Sequence, residues 1–499
     1  MSSGFEIRNP ILPGFHPDPS ICRRGEDYFL ITSTFEFFPG IPIYRSKDLV
    51  SWELIGQVVT RRHQFEYSLM EASRGLFAPT IRYHDSRFYV TVTDVTQKGN
   101  CLLSAEDPRG PWSDPVCLDQ EGIDPSLFFD EDGRAYLATN ASVQGILGIA
   151  LSEIEISTGK RLSPVRHICP GSGGRFPEAP RIFHIHGIYY LLLSEGGTEY
   201  GHMVTLFRSN AVWGPYEGCP SNPILSSRDD SSRILQCTGH ADIVSDAQDN
   251  WWAVFLATRS LPGVLLHNLG RETCLSPVVW DKGWFYIKKP ELGNPGRQWK
   301  MEKLLLPQKS GSPFVDQWLH IRIPEETAIQ NDPQGRWLQL TGKGVGLSDA
   351  LGAPAFCGWR QSEHRCRFFA RVDKFEVPSC FGLSAYYNNQ YHYSICVTAS
   401  GQGMKISLVH VLHGITYLVS VKEVPCIAKG LALKIEADDA WYRFLYCLEG
   451  KGWEEIGRGR VAGLCSEGTL SMTFTGTLLG VYSERGVVRF STLLYASFA

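Results

Sequence analysis

The chain has 499 residues, 43% of them hydrophobic and 20% charged, with a formal net charge of −4 and a pI near 6.4. That length is too great for one ordinary core, so two domains are expected. The near-neutral balance gives no electrostatic footing for nucleic acid or for an anionic membrane surface, and no apolar run is long enough to span a bilayer.

Met1 to Pro10 lacks the apolar stretch of a secretory leader, and the 14 Cys include no C-x-x-C pair and no zinc-site spacing. These features predict a cytoplasmic protein with reduced, mostly buried thiols, or a secreted one if a leader has been removed. Aromatic content of 12% suits surfaces that stack on sugars; it suits the aromatic cores of β-rich folds equally well.

In chain order, one short pattern recurs five times, as Asp18-Pro19-Ser20-Ile21, Ala78-Pro79-Thr80-Ile81, Asp124-Pro125-Ser126-Leu127, Glu178-Ala179-Pro180-Arg181-Ile182 and His240-Ala241-Asp242-Ile243. Each copy is followed by an aromatic-apolar run, from Tyr28-Phe29-Leu30-Ile31 in the first to Trp251-Trp252-Ala253-Val254-Phe255 in the last. Strand-like units repeating every roughly 45–60 residues are the signature of a radial repeat such as a β-propeller. Asp132-Gly133 and His186-Gly187 read as hairpin loops, and turns ending in Trp52, Trp112 and Trp213 read as blade ends. No long helical period is visible, so the class is all-β.

Gly and Pro in Pro290–Gly296 and again in Gln308–Pro313 read as a linker. Beyond it, Cys366, Phe368, Ala370 and Val372 alternate with other residues, as do Phe381, Leu383, Ala385 and Tyr387. After an Asn388-Asn389-Gln390 turn, Tyr391, Tyr393, Ile395 and Val397 alternate on the return. Period two predicts hairpins with one buried face and a β-sandwich. The expected division is a propeller over 1–305 and a sandwich over 314–499.

Equivalent positions of a radial repeat face one axis, so Asp18, Asp124, Glu178 and His240 are expected at one mouth of the channel. An isolated Asp-Pro is ordinarily a turn starter; the recurrence makes these acids candidates for chemistry. Glu178 lies between apolar residues and prolines, where poor solvation should raise its pKa as a general acid requires. Three neighbouring carboxylates cannot all ionise cheaply, and Arg271 is a candidate counter-cation, if it is not simply paired with Glu272 or another acid. His240 could bind hydroxyls, tune a carboxylate, ligate a metal or merely pack; without clustered ligands, packing is the commonest role.

Together these motifs resemble glycoside hydrolase family 43, in the β-xylosidase branch with an appended sandwich. The resemblance rests on Phe15–Ser20, Ser33–Gly40, Asp124–Leu127, Glu178, Ser194–Thr198, Thr238–Asp242, Leu269–Thr273 and Phe474-Thr475-Gly476. It implies a five-bladed propeller followed by a concanavalin-like sandwich, and an inverting mechanism. Asp18 then resembles the general base, Glu178 the general acid and Asp124 the residue that tunes that acid. His240 and Arg271 resemble pocket residues, with Thr198 on a neighbouring loop. Phe35 and Phe77 resemble pocket walls, and Phe474 the residue by which the sandwich closes the pocket. An inverting pair should hold its carboxyls roughly 6.5–9.5 Å apart.

The implied activity is release of terminal D-xylose from β-1,4-xylo-oligosaccharides, or of L-arabinose from arabinofuranosides. No cofactor or metal ligand set is required; Ca²⁺ binding and homo-oligomerisation are left open. Phe77 replaces the family's usual Trp, Ala179 and Arg181 replace its Gly and His, and Glu199 adds an acid beside the Thr198 loop. The competing readings are a five-bladed fructosidase, whose Arg-Asp-Pro and Glu-Cys elements are missing here, and a non-catalytic sugar-binding propeller.

Overall fold

The computed structural model describes residues 7–293, 299–304, 317–425, 430–470 and 473–498. Five antiparallel sheets, each of four or five strands, occupy the chain up to Ile287. Their first strands are Ser20–Arg24, Leu76–His84, Ile123–Phe129, Glu178–Ile185 and Leu235–Ser245. Each of these touches the next, and the fifth touches the first, so they line the axis of a closed five-bladed ring. The N-terminal segment fastens the ring to blade 5: Ile11 N donates to Thr273 O at 2.9 Å, and Asn9 Nδ2 to Leu275 O at 2.9 Å.

The recurring motif is a β-bulge rather than a turn. In blades 2 to 5 the ladder between the first two strands skips a residue pair, Ala78-Pro79, Asp124-Pro125, Ala179-Pro180 and His240-Ala241. Proline has no N–H to give a ladder, so a bulge is where a sheet tolerates it. Asp18, Asp124, Ala179 and His240 all adopt left-handed backbone, with φ of 55°, 54°, 51° and 50°. Asp and His enter that region more readily than most side chains.

This register corrects one expectation. The blade-4 counterpart of Asp18 and Asp124 is Ala179, and Glu178 stands one position earlier, level with Phe77 and Ile123. The bulge still aims residues on both sides of the skip into the channel mouth.

The second unit is one large sheet folded on itself by the long strand Leu478–Phe498. It includes Trp299–Leu304, which pairs with that strand and so belongs to the sandwich, although the expected boundary at 305 had put it with the propeller. Part of the expected linker, Pro290 to Gly293, docks on Asn9; the Gln308–Pro313 part lies outside the described residues. Cys366–Phe375 alternates as expected, with Cys366, Phe368, Ala370 and Val372 inward. Ser379–Asn388 does not, being buried on both faces apart from the partly open Cys380. Its second face meets the propeller: Tyr386 joins Phe356 and Tyr482 in a cluster with Phe15, Phe35 and Phe37. A short pairing of Phe37–Phe38 with His320–Ile321 stitches the same seam.

Candidate active site

All nine predicted site residues line one cavity at the channel mouth. Asp18, Asp124, Glu178 and His240 come from four blades, Phe77 from the remaining one and Arg271 from the third strand of blade 5. Phe35 and Thr198 come from loops, Phe474 comes from the sandwich, and Ala78 and Ile123 complete the wall.

Asp18 is the most firmly held acid. Arg271 donates from Nη1 to Oδ1 at 2.7 Å and from Nη2 to Oδ2 at 3.3 Å, and Ser33 Oγ donates to Oδ2 at 2.7 Å. His240 Nδ1 stands 3.7 Å from Oδ1. Arg271 is therefore not the partner of Glu272, which is bound instead by Arg259 at 2.6 Å. Arg271 also reaches Thr198 Oγ1 at 3.1 Å. Thr198 sits on a loop whose Gly196, at φ 92°, lies so close to the Gly201 carbonyl that a Cβ would not fit.

Asp124 is buried and accepts the Ala179 N–H at 3.1 Å, so the bulge residue of blade 4 supports the acid of blade 3. Burial, then the neighbouring Asp18 charge, pushes its pKa up to about 7. Glu178 keeps part of its surface open to the cavity while protein encloses the rest. Burial first, then Asp124 and Asp18, hold its pKa well above the usual carboxylate range, against a smaller opposing pull from Arg271. The cluster therefore retains a proton near neutrality, and the more open Glu178 is the acid from which a bound molecule can take it.

Beneath these acids lies a charge cluster that the sequence did not disclose. Arg181, fully buried, places Nη2 at 3.4 Å from His240 Nε2 and Nε at 3.8 Å from Asp242 Oδ2. Asp242 also accepts from Arg82 Nη1 at 2.8 Å and Ser20 Oγ at 2.7 Å, and these cations hold its pKa below the usual value despite burial. Burial, then Arg181, holds His240 well below its ordinary pKa, so its ring is neutral. A second buried histidine, His202, fits against Gly239, where a Cβ would collide with its ring. Burial lowers its pKa to about 4. The Arg in the fourth repeat is visible in the sequence as a departure, but only the fold shows that it meets His240 and Asp242.

The roof is aromatic. Phe35 and Phe474 stack at 5.6 Å with an interplanar angle of 19°, and Phe77 meets both edge-on at 5.5 and 5.6 Å. The Arg271 guanidinium lies 5.6 Å from the Phe35 ring and 5.4 Å from that of Phe474. A much larger cavity, about 890 Å³, opens elsewhere between propeller and sandwich. Its acids Glu363 and Asp439 are each paired with an arginine, at 2.6 and 2.5 Å.

Comparison with known proteins agrees with this geometry. Residues 7–285 match the model of Glycosyl hydrolases family 43, and residues 311–498 match the beta xylosidase C-terminal concanavalin A-like domain. The chain is 34% identical to a non-reducing end alpha-L-arabinofuranosidase of Bacteroides ovatus, over 96% of this chain and 91% of that protein. It is 30% identical to a beta-xylosidase of Bacillus subtilis, over 91% of each. Among solved structures, a xylan beta-1,4-xylosidase from Bacillus halodurans superposes with a TM-score of 0.88 at 31% identity, covering 98% of this chain and 99% of that one. With both domains matched along the chain and the acids gathered at one mouth, the protein belongs to glycosyl hydrolases family 43.

Proposed function

We propose that this hydrolase is an inverting exo-glycosidase that removes terminal D-xylose from β-1,4-xylo-oligosaccharides, with terminal α-L-arabinofuranosides as its second substrate class. The observation that carries the reading is the meeting of Asp18, Asp124 and Glu178 in one pocket beneath Phe474 of the other domain. A channel mouth roofed by aromatic rings admits a chain end more readily than the middle of a polymer. Relatives named for each activity resemble the chain to similar degrees, which supports both substrate classes.

In this mechanism Asp18 takes a proton from a water molecule. The water oxygen attacks the anomeric carbon, the glycosidic C–O bond breaks, and Glu178 gives its proton to the departing oxygen. Asp124 keeps that proton on Glu178 through its negative charge. Arg271 orients Asp18, and Phe35, Phe77 and Phe474 cover the apolar face of the sugar. Arg181 supplies positive charge near Asp124 and Asp18. This reading requires no divalent cation and leaves Ca²⁺ binding open, and a rate unchanged by a chelator is its expected outcome.

The deciding experiment is hydrolysis of xylobiose followed by NMR. The α-anomer of xylose appears first if the reaction inverts. First appearance of the β-anomer defeats the mechanism, and binding without release of xylose defeats the enzymatic reading of these acids. Rates on aryl β-D-xyloside and aryl α-L-arabinofuranoside measure the balance between the two classes.

A further inference from the structure

Glu36 directly follows the pocket-wall residue Phe35, yet it turns away from the cavity and is 1% exposed. Its Oε2 accepts the Ser73 N–H at 3.0 Å, while Oε1 is buried without a hydrogen-bond partner among the described residues. Two groups face it from the sandwich side, the Arg322 guanidinium and the Tyr386 hydroxyl. Arg322 gives its N–H groups to the carbonyls of Met70, Gly352 and Ala350, so it offers Glu36 charge rather than a hydrogen bond. A half-satisfied buried carboxyl is costly, and a plain apolar residue would fill the space with less penalty.

What the carboxyl accomplishes is visible at Ser73. That residue is held in left-handed backbone, φ 58°, and its Oγ accepts the Phe474 N–H at 3.0 Å. The Phe474 carbonyl in turn accepts Arg271 Nη2 at 3.2 Å, and the same guanidinium holds Asp18. A continuous chain of contacts thus runs from Glu36 through Ser73, the Phe474 peptide and Arg271 to the proposed base. The Ser73 loop belongs to the propeller and Phe474 to the sandwich, so this chain crosses the seam between them.

We infer that Glu36 is a positioning residue: it fixes Ser73 as the anchor for the Phe474 peptide and so holds the aromatic roof over the sugar. Its importance for turnover rests on the glycosidase reading above, whereas the anchor itself does not. Glu36→Ala should accelerate hydrogen exchange at the Phe474 amide by about tenfold, the scale of one lost hydrogen bond. It should raise KM for xylobiose by a similar factor while kcat changes less than about threefold. Glu36→Gln, which keeps an oxygen acceptor for Ser73, should restore both. In a double-mutant cycle, Glu36→Ala should add little to the KM of Phe474→Ala, because both act through the same roof.

A folded Glu36→Ala protein with unchanged exchange at Phe474 overturns the inference, as does a fall in kcat at constant KM. If Glu36→Ala does not fold, Ser73→Ala decides: the inference requires the same loosened amide, and an unchanged one ends it. A wild type that releases no sugar ends the proposed function, and the exchange measurement still tests the anchor.

Discussion

Arg271 grips both oxygens of Asp18, Nη1 at 2.7 Å from Oδ1 and Nη2 at 3.3 Å from Oδ2, while Nη2 also holds the Phe474 carbonyl. One guanidinium therefore aims the base and latches the roof. An ammonium cannot reproduce that fork, because it is a point charge without a planar pair of donors. Arg271→Lys should lower kcat/KM for xylobiose by about 10²-fold or more, with kcat and KM both affected. Steady-state kinetics check this; a variant within threefold of wild type would show that the fork is dispensable.

Asp124 and Glu178 share a proton problem that sets the alkaline limit of activity. Burial raises the pKa of Glu178, and the Asp124 charge raises it further. Activity requires protonated Glu178, so it should persist through neutrality and fall as pH rises past the elevated Glu178 value. Asp124→Asn removes one of the charges that keep the proton on Glu178. Its pKa should fall, and the alkaline limb of kcat/KM should move to lower pH while the acid limb stays in place. A pH–rate profile with an unmoved alkaline limb would refute the tuning role.

The same burial makes the site a cost to stability. Glu178 and Asp124 hold their protons more tightly in the folded chain than in the unfolded one. That advantage to folding is complete at low pH and is lost as pH rises through the folded-state values, about 7 for Asp124. Glu178→Gln should therefore raise Tm relative to wild type at pH 8 and leave it level at pH 4, measured by scanning calorimetry. It should also lose most activity on xylobiose. On an aryl xyloside with an acidic phenol, which needs little help in leaving, Glu178→Ala should recover much of the lost rate, and Asp18→Ala should not.

The ring and the site composition were legible in the sequence because the bulge leaves a local mark. Proline in Asp18-Pro19, Ala78-Pro79, Asp124-Pro125 and Ala179-Pro180 signals an interrupted ladder, and interruption is what turns a residue toward the axis. The exact slot of Glu178 was not legible, since one residue of slippage separates Ala179 from Glu178 and only the strand register resolves it. Arg181 and Glu36 were hidden for another reason. Their partners, Asp242, His240 and Ser73, are far off in sequence, and a buried charge carries no local signature of what neutralises it. The second buried face of Ser379–Asn388 depends likewise on the propeller docking against it.

Phe77 is the wall position at which the two proposed substrate classes can be told apart by experiment. It occupies the blade-2 position level with Glu178 in blade 4, and it closes the wall between Phe35 and Phe474 at 5.5 and 5.6 Å. Phe is smaller than Trp, so Phe77 leaves width at this wall that a Trp would fill. A xylopyranoside is a compact ring, whereas an arabinofuranoside carries an exocyclic hydroxymethyl arm that needs such width. Phe77→Trp should consequently reduce kcat/KM for aryl α-L-arabinofuranoside more than for aryl β-D-xyloside, shifting the ratio by about 10-fold, the scale of a methylene-sized change in a pocket. Overpacking against Phe35 and Phe474 would lower both rates together and also lower Tm, so calorimetry on the same variant separates the two effects. A ratio unchanged at wild-type Tm would place the discrimination elsewhere in the pocket, with the Thr198 loop the next wall to test.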